Sequence, residues 1–212
     1  MNNHYENEVR KRRGNTAAYQ KQVEKTKNHT EDKRTAANSD LIPIFAEIVI
    51  CNDNGCIRKN DVVLDYGCGK GRVSFFLSYL TKAKTIGIEY DERIYGRAME
   101  NLKTARARAA FAAIRAEEFD LPPEVNRCYF FNPFSVEILR AVMARITESY
   151  YALPREILLL FYYPSDEYLC YLATVSELKF YDEIACCDLF EGKDSRDRIM
   201  IFRPPLMEGV NQ

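Results

Sequence analysis

Histidine is scarce in this chain, with His4 and His29 the two in 212 residues. That scarcity argues against a metal knuckle at Cys51 and Cys56, which have no second well-spaced ligand pair, so no metal is expected. An excess of one charge is missing as well: the formal net charge is −1, and no global field draws the chain to nucleic acid. Long apolar runs are absent, since the longest, Ile157 to Tyr163, falls far short of the ~20 residues that cross a bilayer. The N-terminus is polar and lacks the apolar segment of a secretory signal. The seven cysteines, at 51, 56, 68, 128, 170, 186 and 187, are odd in number and lie largely inside apolar runs, which suits reduced, buried thiols. A cytoplasmic protein with no membrane partner is the expectation.

Apolar residues make up 47% of the chain, enough for one sizeable core. Two parts are expected: an arm over residues 1–38 and a domain over 39–212. The arm is rich in Lys, Arg, Asn, Glu and Ala, with Val9 and Val23 almost its only large aliphatics, so it builds no core of its own. Arg10, Lys11, Arg12 and Arg13 form a basic run, diluted by Glu6, Glu8, Glu24 and Glu31. A solvated helical arm and a lid contacting substrate or nucleic acid both fit. A helix follows, capped by Ser39 or Asp40, with Leu41, Phe45, Ile48 and Val49 as its apolar stripe. The turn formers from Asn52 to Gly55 end it.

The most informative stretch runs from Asp61 to Phe76 and reads DVVLDYGCGKGRVSFF. Val62, Val63 and Leu64 suit a strand buried on both faces, and Asp65 stands where that strand should end. Gly67, Gly69 and Gly71 allow positive φ and close approach of a ligand to the main chain. From Arg72 the period becomes helical, with Val73, Phe76, Leu77 and Leu80 on one face. Strand, glycine turn and helix N-terminus together form a cradle for an anion or nucleotide, because free N–H groups and the helix dipole point at the ligand. The dinucleotide fingerprint Gly-x-Gly-x-x-Gly does not match Gly67-Cys68-Gly69-Lys70-Gly71, which disfavours an NAD-dependent oxidoreductase, and no Walker A loop is present. A second strand, Thr85 to Ile88, ends in Glu89, about twenty residues beyond the glycines, where this architecture places an acceptor for ribose hydroxyls.

Asp91 reads as the N-cap of a helix with Ile94, Ala98, Leu102 and Ala105 inward. Further strands are predicted at Phe111–Ile114, Arg127–Phe131 and Glu156–Tyr163, the last two leading to Asn132-Pro133-Phe134-Ser135 and to Pro164. The helix between them carries Leu139, Val142, Met143 and Ile146 on one face. A short helix near Asp166–Ala173 leads into strand-like runs at Leu178–Leu189 and Arg198–Arg203. Ligands of open α/β sheets bind at the C-terminal strand edge, so Asn132, Pro133, Phe134 and Tyr163 are candidate substrate contacts.

Asp65 with the three alternating glycines resembles motif I of the Rossmann-like, class I S-adenosylmethionine-dependent methyltransferases, Asp-x-Gly-x-Gly-x-Gly. The resemblance spans roughly residues 40 to 204. It implies a doubly wound, mostly parallel seven-stranded sheet with an antiparallel last strand, here preceded by an N-terminal helical arm. It implies S-adenosylmethionine as cofactor, held by Asp65, Gly67, Cys68, Gly69 and Gly71, with Glu89 on the ribose and Tyr90 against the adenine ring. Arg115 stands where the family commonly has an acid, so the Ala116 main chain or Glu117 is assigned to the adenine edge. Asn132-Pro133-Phe134 resembles the Asn-Pro-Pro-aromatic motif of enzymes acting on amino groups, with one proline fewer. The implied activity is methyl transfer to a nitrogen of an unidentified acceptor, nucleic acid or protein. The alternative is a non-catalytic nucleotide-binding or partner-binding module that keeps the loop.

Overall fold

A computed structural model describes residues 55–185, 194 and 196–205. The arm over residues 1–38, the helix after it, Cys51, Cys186 and Cys187 lie outside the described residues. Seven strands form one sheet: β1 (Val62–Tyr66), β2 (Lys84–Glu89), β3 (Ala109–Ala113), β4 (Arg127–Phe130), β5 (Leu158–Tyr162), β6 (Lys179–Ala185) and β7 (Arg198–Arg203). Their spatial order is β3-β2-β1-β4-β5-β7-β6. Pairs among β1 to β5 are parallel, and β7 lies antiparallel between β5 and β6. The doubly wound sheet with an antiparallel last strand, expected from the sequence, is the one observed.

The central strands β4 and β5 are buried along their whole length, and β1 nearly so, as an apolar run without alternation requires. Alternation then sorts side chains between two cores. Leu64, Tyr66, Phe130, Leu159 and Phe161 face one. Val63, Tyr129, Leu158, Leu160 and Tyr162 face the other. On the first face Tyr66, Phe130 and Phe161 stack across three neighbouring strands, with centroids 4.7 and 4.5 Å apart. Helix α3 (Val136–Ala152) covers this face with Leu139, Val142, Met143 and Ile146, the predicted stripe, and adds Tyr150. At the opposite strand end, Arg127 is 3% exposed and donates to the Cys56 carbonyl at 2.6 Å and to Glu156 at 2.6 Å, with Asp61 at 3.4 Å.

Several expectations are corrected. Helix α1 (Arg72–Thr81) buries Ser74, Leu77, Ser78 and Thr81, whereas Val73, Phe76 and Leu80 are half-buried. Its inner face tolerates hydroxyls because each is bonded: Ser74 donates to Asp65, Ser78 accepts from the Arg108 amide, and Thr81 donates to the Leu77 carbonyl. Helix α2 (Glu92–Leu102) has the predicted cap, Asp91 accepting from the Arg93 and Ile94 amides, but only Ala98 of its stripe is buried. Ile94 remains 36% exposed, on a helix that packs mainly on the edge strand β3. Among the four described cysteines Cys56, Cys68 and Cys128 are buried, but Cys170 is exposed on α4 (Asp166–Leu172). Strand ends shift by one or two residues: β3 starts at Ala109, β4 stops at Phe130, and β5 starts at Leu158 and stops at Tyr162. No helix among the described residues is long and apolar enough to cross a membrane.

Candidate functional site

Strand order reverses between β1 and β4, and a crevice at their C-terminal ends follows from that reversal. Gly67, Gly69 and Gly71 all adopt left-handed φ, at 67°, 56° and 78°. Space adds a second constraint at two of them. A Cβ on Gly67 would stand 2.5 Å from the Pro133 Cβ, and one on Gly71 2.5 Å from the Phe111 ring. At Gly69 a Cβ would meet nothing within 4 Å, so its neighbourhood is open to a ligand. The loop is closed by the Gly71 amide donating to the Cys68 carbonyl, and pinned to β2 by the Cys68 amide donating to Ile88.

Two buried carboxylates frame this loop. Asp65, 3% exposed, accepts from the Ser74 hydroxyl at 2.6 Å. Burial pushes its carboxyl up to about 7, the Ser74 hydrogen bonds oppose the shift, and the charge of Glu89 adds to it. Glu89, 8% exposed, closes β2 and accepts from the Gly69 amide at 3.1 Å and the Asp91 amide at 3.0 Å. A carboxylate 20 residues downstream thus holds the middle glycine from across the neighbouring strand. Among the described residues neither carboxylate has a cationic partner. The Cys68 thiol is raised by burial and by both acids, and is inert as a nucleophile.

A cavity of about 500 Å³ opens beside the loop. Gly67, Glu89, Tyr90, Ala116, Glu117, Pro133 and Phe134 line it, all of them candidates from the sequence. Ile88, Ile114, Arg115 and Ile138 complete it, and sequence reasoning had given none of them a place there. Arg115 grips Glu117 at 2.6 Å and the guanidinium of Arg145 on α3 donates to the Glu117 carbonyl, which holds the 3-10 turn Ala116–Glu118 at the rim. Main-chain hydrogen bonds and Arg115 keep the Glu117 carboxyl below its usual range. Tyr90 is 70% exposed, its ring free to cover a flat ligand.

Asn132 and Tyr163 do not line this cavity. Both adopt left-handed φ, 40° and 46°, and they are joined: Asn132 Nδ2 donates to the Tyr163 carbonyl at 2.7 Å, while Oδ1 accepts from the Ser165 amide at 3.1 Å. Asn132 therefore ties the β4 loop to the β5 loop. Tyr163 donates its hydroxyl to Asp194 at 2.6 Å, with the Arg196 guanidinium 4.9 Å from its ring centroid. Arg196 and Tyr163 hold the Asp194 carboxyl well below the usual carboxylate range, and the bond to Asp194 raises the Tyr163 hydroxyl. Ser74 was legible in principle as a hydroxyl in the first turn after the glycines. Asp194 and Arg196 were not, because only the antiparallel insertion of β7 brings them to Tyr163.

Fold and loop geometry together define a Rossmann-like α/β domain. Residues 63–150 match a family model described as a methyltransferase domain. No curated protein matches the chain. Among solved structures, an RNA methyltransferase from Salinibacter ruber in complex with S-adenosyl-L-homocysteine shares 17% identity at a TM-score of 0.56, over 85% of this chain and 100% of its own. The N-methyltransferase NodS from Bradyrhizobium japonicum shares 16% at 0.52, over 68% and 86%. A precorrin-6y methyltransferase from Geobacter metallireducens shares 19% at 0.51, over 76% and 87%. Their named acceptors differ, so likeness of fold selects none of them.

Proposed function

We propose that this domain is an S-adenosylmethionine-dependent methyltransferase that transfers the methyl group to a nitrogen of an acceptor, nucleic acid or protein. The observation that carries the cofactor reading is the left-handed glycine turn with open space at Gly69, whose amide is held by Glu89, beside a cavity lined by Gly67 and Glu89. The residues present fit that cofactor. Gly67 and Gly69 would receive its amino-acid end near Asp65, Glu89 would accept from the ribose hydroxyls, and Tyr90, Ile114 and Ile138 would enclose the base. When bound, the cofactor supplies a methyl group on a positively charged sulfur, ready for in-line displacement.

The chain's own contribution is alignment and exclusion of water. Pro133, pressed against Gly67, and Phe134, packed edge-on to Tyr66 and Phe130, make a rigid wall between the loop and the acceptor edge. Asn132 has one oxygen lone pair beyond its bond to Ser165, which suits a hydrogen bond from an acceptor nitrogen. No histidine occurs among the described residues, and the Tyr163 hydroxyl is bound to an ionised Asp194, so neither side chain offers a base to activate a hydroxyl. A neutral amine attacks without one and sheds its proton to solvent. The engagement of both ends of the Asn132 amide in loop contacts favours, as a second reading, a module that binds the cofactor without turning over.

Titration calorimetry with S-adenosylmethionine tests the first half, and no binding by the wild-type chain overturns it. Glu89→Ala should weaken binding by about tenfold or more, as expected for loss of a hydrogen-bonded charge. Equal affinity would remove Glu89 from the site. Labelled cofactor with cell extract separates the two readings, since repeated turnover is expected of the enzyme alone.

A further inference from the structure

Three neighbouring strands of the sheet are each introduced by two cations: Arg58 and Lys59 before β1, Lys82 and Lys84 at β2, Arg106 and Arg108 before β3. All six are exposed. We propose that this N-terminal rim of the sheet, with the Tyr79 ring beside it, is a docking surface for the phosphate backbone of a single-stranded nucleic acid. The inference does not depend on the cofactor reading, because the rim lies at the opposite end of the strands from the glycine turn and the cavity. Local sequence explains the exposure. In Lys82-Ala83-Lys84 the alanine is buried, and in Arg106-Ala107-Arg108 it is half-buried, so the small residue faces the protein and the cations on either side face solvent. Strand pairing then brings the pairs together. Lys84 is level with Val62 of β1, its amide donates to the Asp61 carbonyl at 3.2 Å, and the Thr85 amide donates to the Arg108 carbonyl at 2.9 Å. Neighbouring strands lie about 4.8 Å apart, so the six charges form one row.

Few acids answer this row. Among the described residues Glu124 is the one carboxylate paired with any of the six, 3.8 Å from Lys84, and with both side chains about half exposed that pair is weak. Asp61, the acid nearest Arg58 in sequence, is 7% exposed and is already held by Asn126, by the Arg58 amide and by Arg127. Other bonds join the cations to their own surroundings: Arg108 donates to the Lys82 carbonyl at 3.1 Å, and Lys82 donates to the Tyr79 carbonyl at 2.7 Å, its ammonium 4.7 Å from the Tyr79 ring centroid. Farther along the same rim the sign reverses, with Glu124 before β4 and Glu156 before β5. The near-zero charge of the whole chain therefore hides a local positive field over β1, β2 and β3. Arg93 and Arg97 on α2 differ, since each has a carboxylate of its own, Asp91 at 3.0 Å and Glu100 at 2.9 Å. A row of cations tracks a chain of phosphates, and the Tyr79 ring, 63% exposed, offers a face on which an unpaired base stacks. An acidic peptide would use the charges and leave that ring idle.

The test is fluorescence anisotropy of a labelled oligouridylate of about 12 nucleotides, a length within the site sizes of such surfaces, titrated with the full chain over a series of salt concentrations. Engagement of the whole row should give a slope of about −4 in log affinity against log salt, from roughly 0.7 for each phosphate neutralised on a single strand. Lys59→Gln, Lys84→Gln and Arg106→Gln combined should reduce that slope by about 2. Arg93→Gln, Arg97→Gln and Lys179→Gln combined remove the same charge from other exposed positions and should leave it unchanged. Tyr79→Ala should weaken binding about tenfold with the slope unaltered, as loss of one stacked base does. Thermal melts check that each variant is folded. The proposal is overturned if the wild-type chain does not bind at low salt, or if the control set weakens binding as much as the rim set. Equal affinity for a duplex, for polyglutamate or for vesicles containing phosphatidylserine also overturns it. S-adenosylmethionine should bind the rim variant as it binds wild type, so each of these failures leaves the cofactor reading intact, and failure to bind the cofactor leaves the rim untouched.

Discussion

Replacing Gly67 by alanine separates two costs that glycine loops usually combine. Its φ of 67° is left-handed, and an L side chain there costs about 1–2 kcal/mol. The added Cβ would also stand 2.5 Å from the Pro133 Cβ, part of a ring that cannot rotate away. Overpacking of this kind costs about 1–3 kcal/mol, so Gly67→Ala should lose roughly 2–5 kcal/mol in all. Gly55 supplies the control: its φ is 72°, but nothing lies within 4 Å of a Cβ placed there. Gly55→Ala should therefore lose only the backbone cost. Gly69→Ala, with φ 56° and equally open space, should match Gly55→Ala in stability yet weaken cofactor binding by tenfold or more, because its methyl fills the cradle. Urea denaturation measures all three, with the slope unchanged and the midpoint shifted. If Gly67→Ala is no less stable than Gly55→Ala, the close approach of Pro133 to the loop is wrong, and with it the rigid wall between cofactor and acceptor.

Arg127→Ala leaves Asp61 buried without its cation and should cost about 3–5 kcal/mol in chemical denaturation, a loss below 1 kcal/mol refuting the buried network. The helix caps differ in kind: Ser165 accepts from the Tyr168 amide, whereas Ser135 makes no cap bond. Ser165→Ala should thus cost about 1 kcal/mol and Ser135→Ala much less, and thermal melts that rank them the other way contradict the geometry. Without ligand, folded Asp65 holds its proton up to about 7, while the unfolded chain releases it near 3.8. The folded state binds more protons between those values, so stability falls as pH rises through that window, by on the order of 4 kcal/mol. Urea midpoints for wild type minus Asp65→Asn from pH 4 to 8 should display this fall, and a flat difference would mean that Asp65 is ordinarily solvated.

Much of this molecule could be read from residue order alone, because the signals are local. The period change at Arg72, the three glycines and the acids that end β1 and β2 each express a backbone preference or a burial pattern within a few residues. They located the strand, the left-handed glycine turn and the helix after it, and the stripe of α3 followed from helical spacing in the same way. Relations between distant segments needed the tertiary structure. Ser74 reads as a blemish on an apolar helix face until Asp65 is seen across from it. Arg115 reads as a missing acid, yet it grips Glu117 at the cavity rim. Asn132 reads as a substrate contact, and the fold also makes it a brace between two loops, 31 residues from the carbonyl it holds. Asp194 reaches Tyr163 only because β7 enters the sheet antiparallel. The sequence by itself determined the class of sheet and the glycine turn between its first strand and helix, since both depend on local backbone geometry. The tertiary structure alone decided which polar groups are already bonded to one another and which remain for a ligand, because those pairings join strands and helices far apart in the chain.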